Sequence, residues 1–353
     1  MSEVQKTCTV ILDMLNYGAF LQTYALQQFL GKSNYILSLA TPWRSHVGTK
    51  GRRKLPFFWR LVALRRYLRR YFRNYNVRKK YFNEINMLNF ICKYSSVREA
   101  MKNPVQADIY IAGSDQIWNP SLINEMENIY FLQFVQPTAK RISYAASLGM
   151  QKWPEEFEQK ALPWLKNFHA ISVREESSVE YLHSLGLNAV CTCDPTILHK
   201  ADFYRKKFNS RISESDNYIF IYKIRVNIQF FGNNKTIVVN FKNKKSLVSI
   251  NEWLSLIDNA EFVLTDSFHC VVFCILFHKQ FAVFQNKGKE EGMNERFATI
   301  LGKTNLEYRL LQDTESESEI FKIVKTPIDW ERVDAILDEW RNYSKNWLME
   351  AIK

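Results

Sequence analysis

Apolar, β-branched runs recur along the chain, and each is followed by a short polar turn and then a stretch with helical spacing. Residues 7–15 (TCTVILDML) form the first run, with a turn at Asn16-Tyr17-Gly18 and a helical pattern over 19–30. A second strand pattern at 107–112 ends on Gly113-Ser114-Asp115-Gln116, and further strands are expected at 141–145, 170–173 and 189–192, with helices at 155–167 and 177–185 between them. The pattern turns polar over 206–217. It resumes with strands at 218–222, 236–240, 261–265 and 280–284 and a helix at 249–257. The acidic stretch 312–319 reads as a loop. Residues 329–352 read as a long amphipathic helix with Trp330, Val333, Ile336, Leu337 and Trp340 on one face. Strands alternating with helices predict parallel, doubly wound sheets, so the fold class is α/β with two halves. The expected division is 1–205, carrying an insertion at about 44–80, then 206–325, then a terminal helix at 326–353.

A length of 353 residues agrees with two domains at ~100–200 residues each. Only 11 glycines are present, well below the usual ~7%, and neither G-x-G-x-x-G nor G-x-x-x-x-G-K-[ST] occurs. Nucleotide binding through those two devices is excluded. The six cysteines, at 8, 92, 191, 193, 270 and 274, have no paired spacing, which fits a reducing compartment. Cys191-Thr192-Cys193 lacks the partner ligands a zinc site needs, so no metal is expected. The first residues lack a basic leader followed by an apolar run, and no stretch of 18 apolar residues follows, so the chain is expected to be neither exported nor membrane-spanning.

The net charge of +12 is concentrated in one place: residues 44–80 hold 14 basic residues and no acidic one, leaving 34 against 36 elsewhere. Within this strip Leu61, Leu64, Leu68, Tyr71, Phe72 and Tyr75 recur at three and four, the pattern of a helix whose other face is arginine. Such a helix suits a solvated face packed through its leucines or an anionic membrane surface. It suits nucleic acid less well, and no nucleic acid partner is expected.

In open parallel sheets ligands bind beyond the carboxyl ends of the strands. Four polar clusters occupy such places. His269 follows a predicted strand and opens an apolar run, where a near-neutral imidazole suits proton transfer; the structural alternative is a hydrogen bond to Asp266 or Ser267. Arg174 can fork onto an anion, or pair with Glu175 or Glu176. Ser114 and Asp115 can cap a following helix or present its N-terminus to an anion, while Asn16 and Gly18 can simply make the turn.

Six segments, NYGAFLQTYALQ (16–27), DIYIAGSDQIWNP (108–120), SYAASLG (143–149), ISVREESS (171–178), CDPTIL (193–198) and TDSFHCVVF (265–273), resemble in order and spacing the polysaccharide pyruvyl transferase family. The resemblance spans about residues 7–285. It implies two Rossmann-like domains with a cleft between them, similar to B-type glycosyltransferases, and transfer of a pyruvyl group from phosphoenolpyruvate onto two hydroxyls of a sugar, giving a pyruvate ketal in a capsular or exopolysaccharide repeat unit. By resemblance His269 is the acid/base group and Arg174 lies near the donor with Ser267, Ser114 and Asp115, while Asn16, Gly18, Gln116 and Asp266 line the acceptor side or cleft. Ser267 stands where several branches of the family carry arginine, so one donor contact is replaced or absent. The implied partners are phosphoenolpyruvate and a lipid-linked sugar acceptor, with no cofactor. The implied place of work is the cytoplasm, with the 44–80 strip offering a contact to the inner membrane face. The alternatives are a sugar-nucleotide-dependent glycosyltransferase and a non-catalytic membrane- or polyanion-binding protein.

Overall fold

Residues Ile109–Ala112 are apolar at every position and buried at every position, which requires a strand covered on both faces. The structure, a computed structural model, describes residues 6–12, 16–31, 33–39, 83–94, 97–123, 126–208, 217–228, 235–311 and 316–353. The basic strip at 44–80 lies outside the described residues, and the membrane contact expected of it lies outside them too.

Among the described residues, the first sheet is built from β1 (Thr7–Val10), β2 (Asn34–Leu39), β3 (Phe90–Tyr94), β4 (Ile109–Ala112), β5 (Lys140–Ala146), β6 (Ala170–Val173) and β7 (Ala189–Cys191). Its order is β3-β2-β1-β4-β5-β6-β7, and all neighbours are parallel. The second sheet contains β8 (Tyr218–Lys223), β9 (Lys235–Asn240), β10 (Phe262–Thr265), β11 (Gln280–Phe284) and β12 (Leu310–Leu311), ordered β12-β11-β10-β8-β9 and again parallel. The strands β2, β3 and β12 have no counterpart in the sequence pattern. β12 has only two residues, and β2 alternates too little to stand out from its surroundings.

Between β10 and β11 the helix Phe268–Leu276 (FHCVVFCIL) is apolar all round except at His269, and all nine of its residues are buried. A helix with no polar face has to lie inside the molecule. It therefore delivers its one imidazole to the interior, beside the helix Tyr17–Leu30 of the first half. The expected loop at 312–319 is corrected in its last residues: Ser316 and Glu319 form a capping box, so Glu317–Lys325 is a helix. The acidic residues that suggested a loop are the favourable first-turn charges of that helix.

The C-terminal helix Trp330–Ala351 buries Val333, Leu337 and Trp340 and returns to the first half. There the Cys193 N–H donates to Ser344 Oγ at 2.9 Å, and Arg341 Nε donates to the Ile197 carbonyl at 2.6 Å. Both bonds hold the segment following β7. No helix among the described residues is long and apolar enough to cross a membrane.

Candidate active site

The carboxyl ends of β4, β6, β7 and β10 converge, and the loops leaving them bring five charged or titratable side chains, Asp115, Arg174, Glu175, Asp194 and His269, into one buried cluster, which Arg296 joins from the helix Glu295–Thr304. At its centre is Asp194, fully buried and three residues beyond the end of β7. Its two oxygens have separate tasks. Oδ1 accepts from the Thr196 N–H at 3.0 Å and from Thr196 Oγ1 at 2.6 Å, which caps the turn Pro195–Leu198. Oδ2 faces the site, accepting from Arg174 Nη1 at 2.9 Å and Ser114 Oγ at 3.4 Å, with His269 Nε2 at 3.5 Å.

Arg174 leaves the end of β6 and is 1% exposed. It is surrounded by three carboxylates: besides Asp194, its Nε donates to Glu175 Oε1 at 3.2 Å, and its Nη2 lies 3.7 Å from Asp115 Oδ1. The expected alternative of a pair with Glu176 is corrected, because Glu176 turns outward to Lys303 at 2.5 Å. The other face of the guanidinium rests on Phe268, 4.5 Å from the ring centroid.

His269 is 7% exposed and stands in the first turn of its helix, whose N-cap is Ser267. Its Nε2 lies at ion-pair distance from Asp194, 3.5 Å, without a hydrogen bond, and neither Asp266 nor Ser267 is its partner. Asp266 is occupied elsewhere, its oxygens accepting from the backbone N–H groups of Ile224, Arg225 and Val226 at 2.7, 2.5 and 2.8 Å. Ser267 Oγ accepts from the Cys270 N–H at 3.4 Å as a helix cap. Across the cleft, Gly18 gives the imidazole its room. A Cβ at that position would lie 2.0 Å from His269 Nδ1, so no other residue type fits while the ring stays in place.

The remaining expected residues divide in the same way. Ser114 joins the cluster. Asp115 joins it from a left-handed backbone, φ 68°, held by its carbonyl accepting from the Ile117 and Ser147 N–H groups at 2.7 and 2.9 Å. Neither caps a helix, and that expectation is corrected: the chain after Gln116 runs through a turn, and the next helix begins only at Pro120. Gln116 accepts from Asn119 Nδ2 at 2.7 Å, and Asn16 caps Tyr17–Leu30 by accepting from the Ala19 N–H at 2.6 Å, so both shape the walls.

The electrostatics follow from burial. Burial alone would raise the Asp194 carboxyl, but the imidazole of His269 and the guanidinium of Arg174 outweigh it and hold the group well below the usual carboxylate range. Asp194 is therefore a fixed negative charge. Glu175 goes the other way: burial raises it and Arg174 only partly offsets that. Burial lowers Arg174 less than Glu175, Asp194 and Asp115 raise it, so the guanidinium is held charged.

Three participants were missed in the sequence. Asp194 sits in the quoted CDPTIL segment, where an acid directly after a predicted strand was a usable signal. Glu175 was visible only as a pairing alternative. Arg296, buried at the start of the helix Glu295–Thr304 and 5.9 Å from the Phe268 ring, gave none, because neighbouring Glu295 makes the segment read as an ordinary solvated surface. No group of three or more His, Cys, Asp or Glu among the described residues could hold a metal ion.

A family model described as polysaccharide pyruvyl transferase matches residues 16–288, a span that contains every member of the cluster except Arg296. A search of curated proteins gave no match. Among solved structures, UDP-N-acetylglucosamine 2-epimerase from Rickettsia bellii is similar at TM-score 0.55 and 10% identity, covering 99% of this chain and 96% of that one. The S. aureus MnaA-UDP co-structure follows at TM-score 0.51 and 11% identity, with 99% and 96% covered. UDP-GlcNAc 2-epimerase from Methanocaldococcus jannaschii has TM-score 0.51 and 11% identity, with 93% and 95% covered. At this identity the likeness is one of fold: two Rossmann-like domains arranged as in B-type glycosyltransferases.

Proposed function

The chain belongs to the polysaccharide pyruvyl transferase family, and we propose that it moves a pyruvyl group from phosphoenolpyruvate onto two hydroxyls of a sugar, forming a pyruvate ketal. The observation that carries this reading is the pairing of His269 with a carboxylate, Asp194, held ionised well below the usual range. Ketal formation from an enol phosphate needs a proton at carbon before anything else happens. An imidazole held beside a fixed carboxylate is suited to deliver it.

The steps balance as follows. His269 gives its proton to the methylene carbon of the donor, which becomes the methyl group while the adjacent carbon takes on cationic character. One sugar hydroxyl adds there, forming a C–O bond and returning its proton to the imidazole. The bond between that carbon and the phosphate oxygen then breaks and phosphate leaves with the electron pair. The second hydroxyl adds in its place, its proton leaving with the phosphate. Asp194 holds the imidazole through both proton movements, and Arg174 holds Asp194. Gly18 keeps the ring's other side free of bulk.

The acceptor is proposed to be a lipid-linked sugar of a capsular or exopolysaccharide repeat unit. The test between this reading and a nucleotide-sugar glycosyltransferase is which donor raises the melting temperature, since a ligand stabilises only the state that binds it. Stabilisation by phosphoenolpyruvate supports the proposal, and stabilisation by UDP-sugars alone overturns it.

A further inference from the structure

Arg296 is 7% exposed and stands where the helix Glu295–Thr304 begins, next to the cluster. A guanidinium taken out of water brings five N–H donors and a full charge that need partners. Arg174 has its charge met by three carboxylates, although its Nη2, 3.7 Å from Asp115, makes no hydrogen bond. Arg296 has no carboxylate at ion-pair distance among the described residues. Its Nη2 donates only to Met293 Sδ, at 3.8 Å, and its Nε is buried with no partner at all.

The surroundings make the unpaired charge more costly. The rings of Phe268 and Phe297 flank the group at 5.9 and 5.8 Å, and Arg174 and Arg225 add positive charge from the neighbouring loops. Burial first, then those two cations, bring its pKa down to about 10, with only weaker compensation from Asp115 and Glu175. The unused Nε and the Nη groups lie in one plane, the fork that matches two oxygens of an oxyanion. A bound anion would supply both the missing acceptors and the missing countercharge.

We propose that Arg296 is the docking point for the phosphoryl group of the donor, held by forked hydrogen bonds from Nε and an Nη. The identity of the donor rests on the function proposed above; the anion site itself rests on the geometry of Arg296. The contact positions the donor and has no part in proton transfer.

The experiment compares wild type, Arg296→Gln and Arg296→Lys by thermal melting with chloride, inorganic phosphate, pyruvate or phosphoenolpyruvate. Phosphate is expected to stabilise wild type, with ~10–100-fold weaker apparent affinity in Arg296→Gln and an intermediate loss in Arg296→Lys, the range that one forked, charge-assisted contact supplies. Without ligand, Arg296→Gln is expected to melt at or above the wild-type temperature, because an uncompensated buried charge has been removed. A lower melting temperature for the unliganded variant, with phosphate protection intact, would make Arg296 a structural residue and overturn the proposal. Pyruvate protection that depends on Arg296 while phosphate protection does not would assign the site to a carboxylate and overturn it equally. Protection by phosphoenolpyruvate that is equal in wild type and Arg296→Gln sinks the Arg296 site and keeps the donor. Phosphate protection that requires Arg296, with none from phosphoenolpyruvate, keeps the site and sinks the donor.

Discussion

Two buried arginines touch the same phenylalanine, and their surroundings are opposite. Arg174, at the end of β6, lies 4.5 Å from the Phe268 ring amid Asp115, Glu175 and Asp194; Arg296, at the start of its helix, lies 5.9 Å from that ring with no carboxylate at ion-pair distance among the described residues. The pKa of the first is raised by its carboxylates, and that of the second is lowered by burial and by neighbouring cations. Charge alone therefore does not mark a binding residue in this cleft. The region around Arg174 is balanced in charge by three carboxylates, though its Nη2 makes no hydrogen bond, and acts as the frame that holds Asp194 and, through it, His269. The region around Arg296 is internally incomplete and has donors to spare.

The comparison breaks most sharply at Asp194. Asp194→Asn removes the charge opposite both Arg174 and His269, and loss of one partner from a buried ionic group costs ~3–5 kcal/mol. Denaturant unfolding is expected to show that loss, and turnover is expected to collapse with it. A stability change below ~1 kcal/mol would mean that Arg174 does not depend on its acidic frame.

Gly18→Ala separates chemistry from frame. The added methyl group occupies the place of the His269 ring, so turnover is expected to fall at least ~10²-fold, the lower range for a displaced acid/base group, while overpacking costs only ~1–3 kcal/mol of stability and leaves the protein folded. Unchanged turnover would remove His269 from the mechanism.

Arg174→Lys tests the frame directly. The sequence alone allowed a donor-binding role, in which lysine would raise the apparent donor constant. The geometry instead predicts lost stability, ~1–3 kcal/mol, because an ammonium cannot span three carboxylates and leaves buried acceptors unmet. A normal melting temperature with a raised donor constant would return Arg174 to the donor.

How much of this was legible beforehand can be said residue by residue. β6 and β11 fall where their apolar runs placed them, as does the helix Trp330–Ala351, because both faces or a regular stripe of those elements are buried. His269 was legible because it interrupts an otherwise apolar helix right after a strand. The role of Gly18 was hidden, since its meaning lies in a side chain 251 positions away that only the packing of the two halves brings near. Arg296 was hidden for the same reason. Its lack of a partner is a property of three dimensions, whereas in one dimension it sits beside Glu295.

The smallest effect concerns pH. Asp194 is depressed in the folded state, so its contribution to stability is complete above the ordinary carboxylate range of ~4 and is lost as the pH falls below it. Glu175 is raised, so its contribution is complete below that range and is lost as the pH climbs through the raised value. Glu175→Gln mimics the protonated form and is expected to change stability by less than ~1 kcal/mol while flattening the upper side of the stability profile, as measured by melting against pH. A steeper decline on that side would contradict the assignment.

The central claim is the transfer itself. Purified protein incubated with phosphoenolpyruvate carrying ¹³C in the pyruvyl carbons and candidate lipid-linked oligosaccharides is expected to place the label on the sugar as a ketal. One phosphate should be released per ketal formed, and His269→Gln should abolish both signals. Label that never reaches any acceptor while a nucleotide sugar is consumed, or ketal formation that survives His269→Gln at the wild-type rate, would contradict the account.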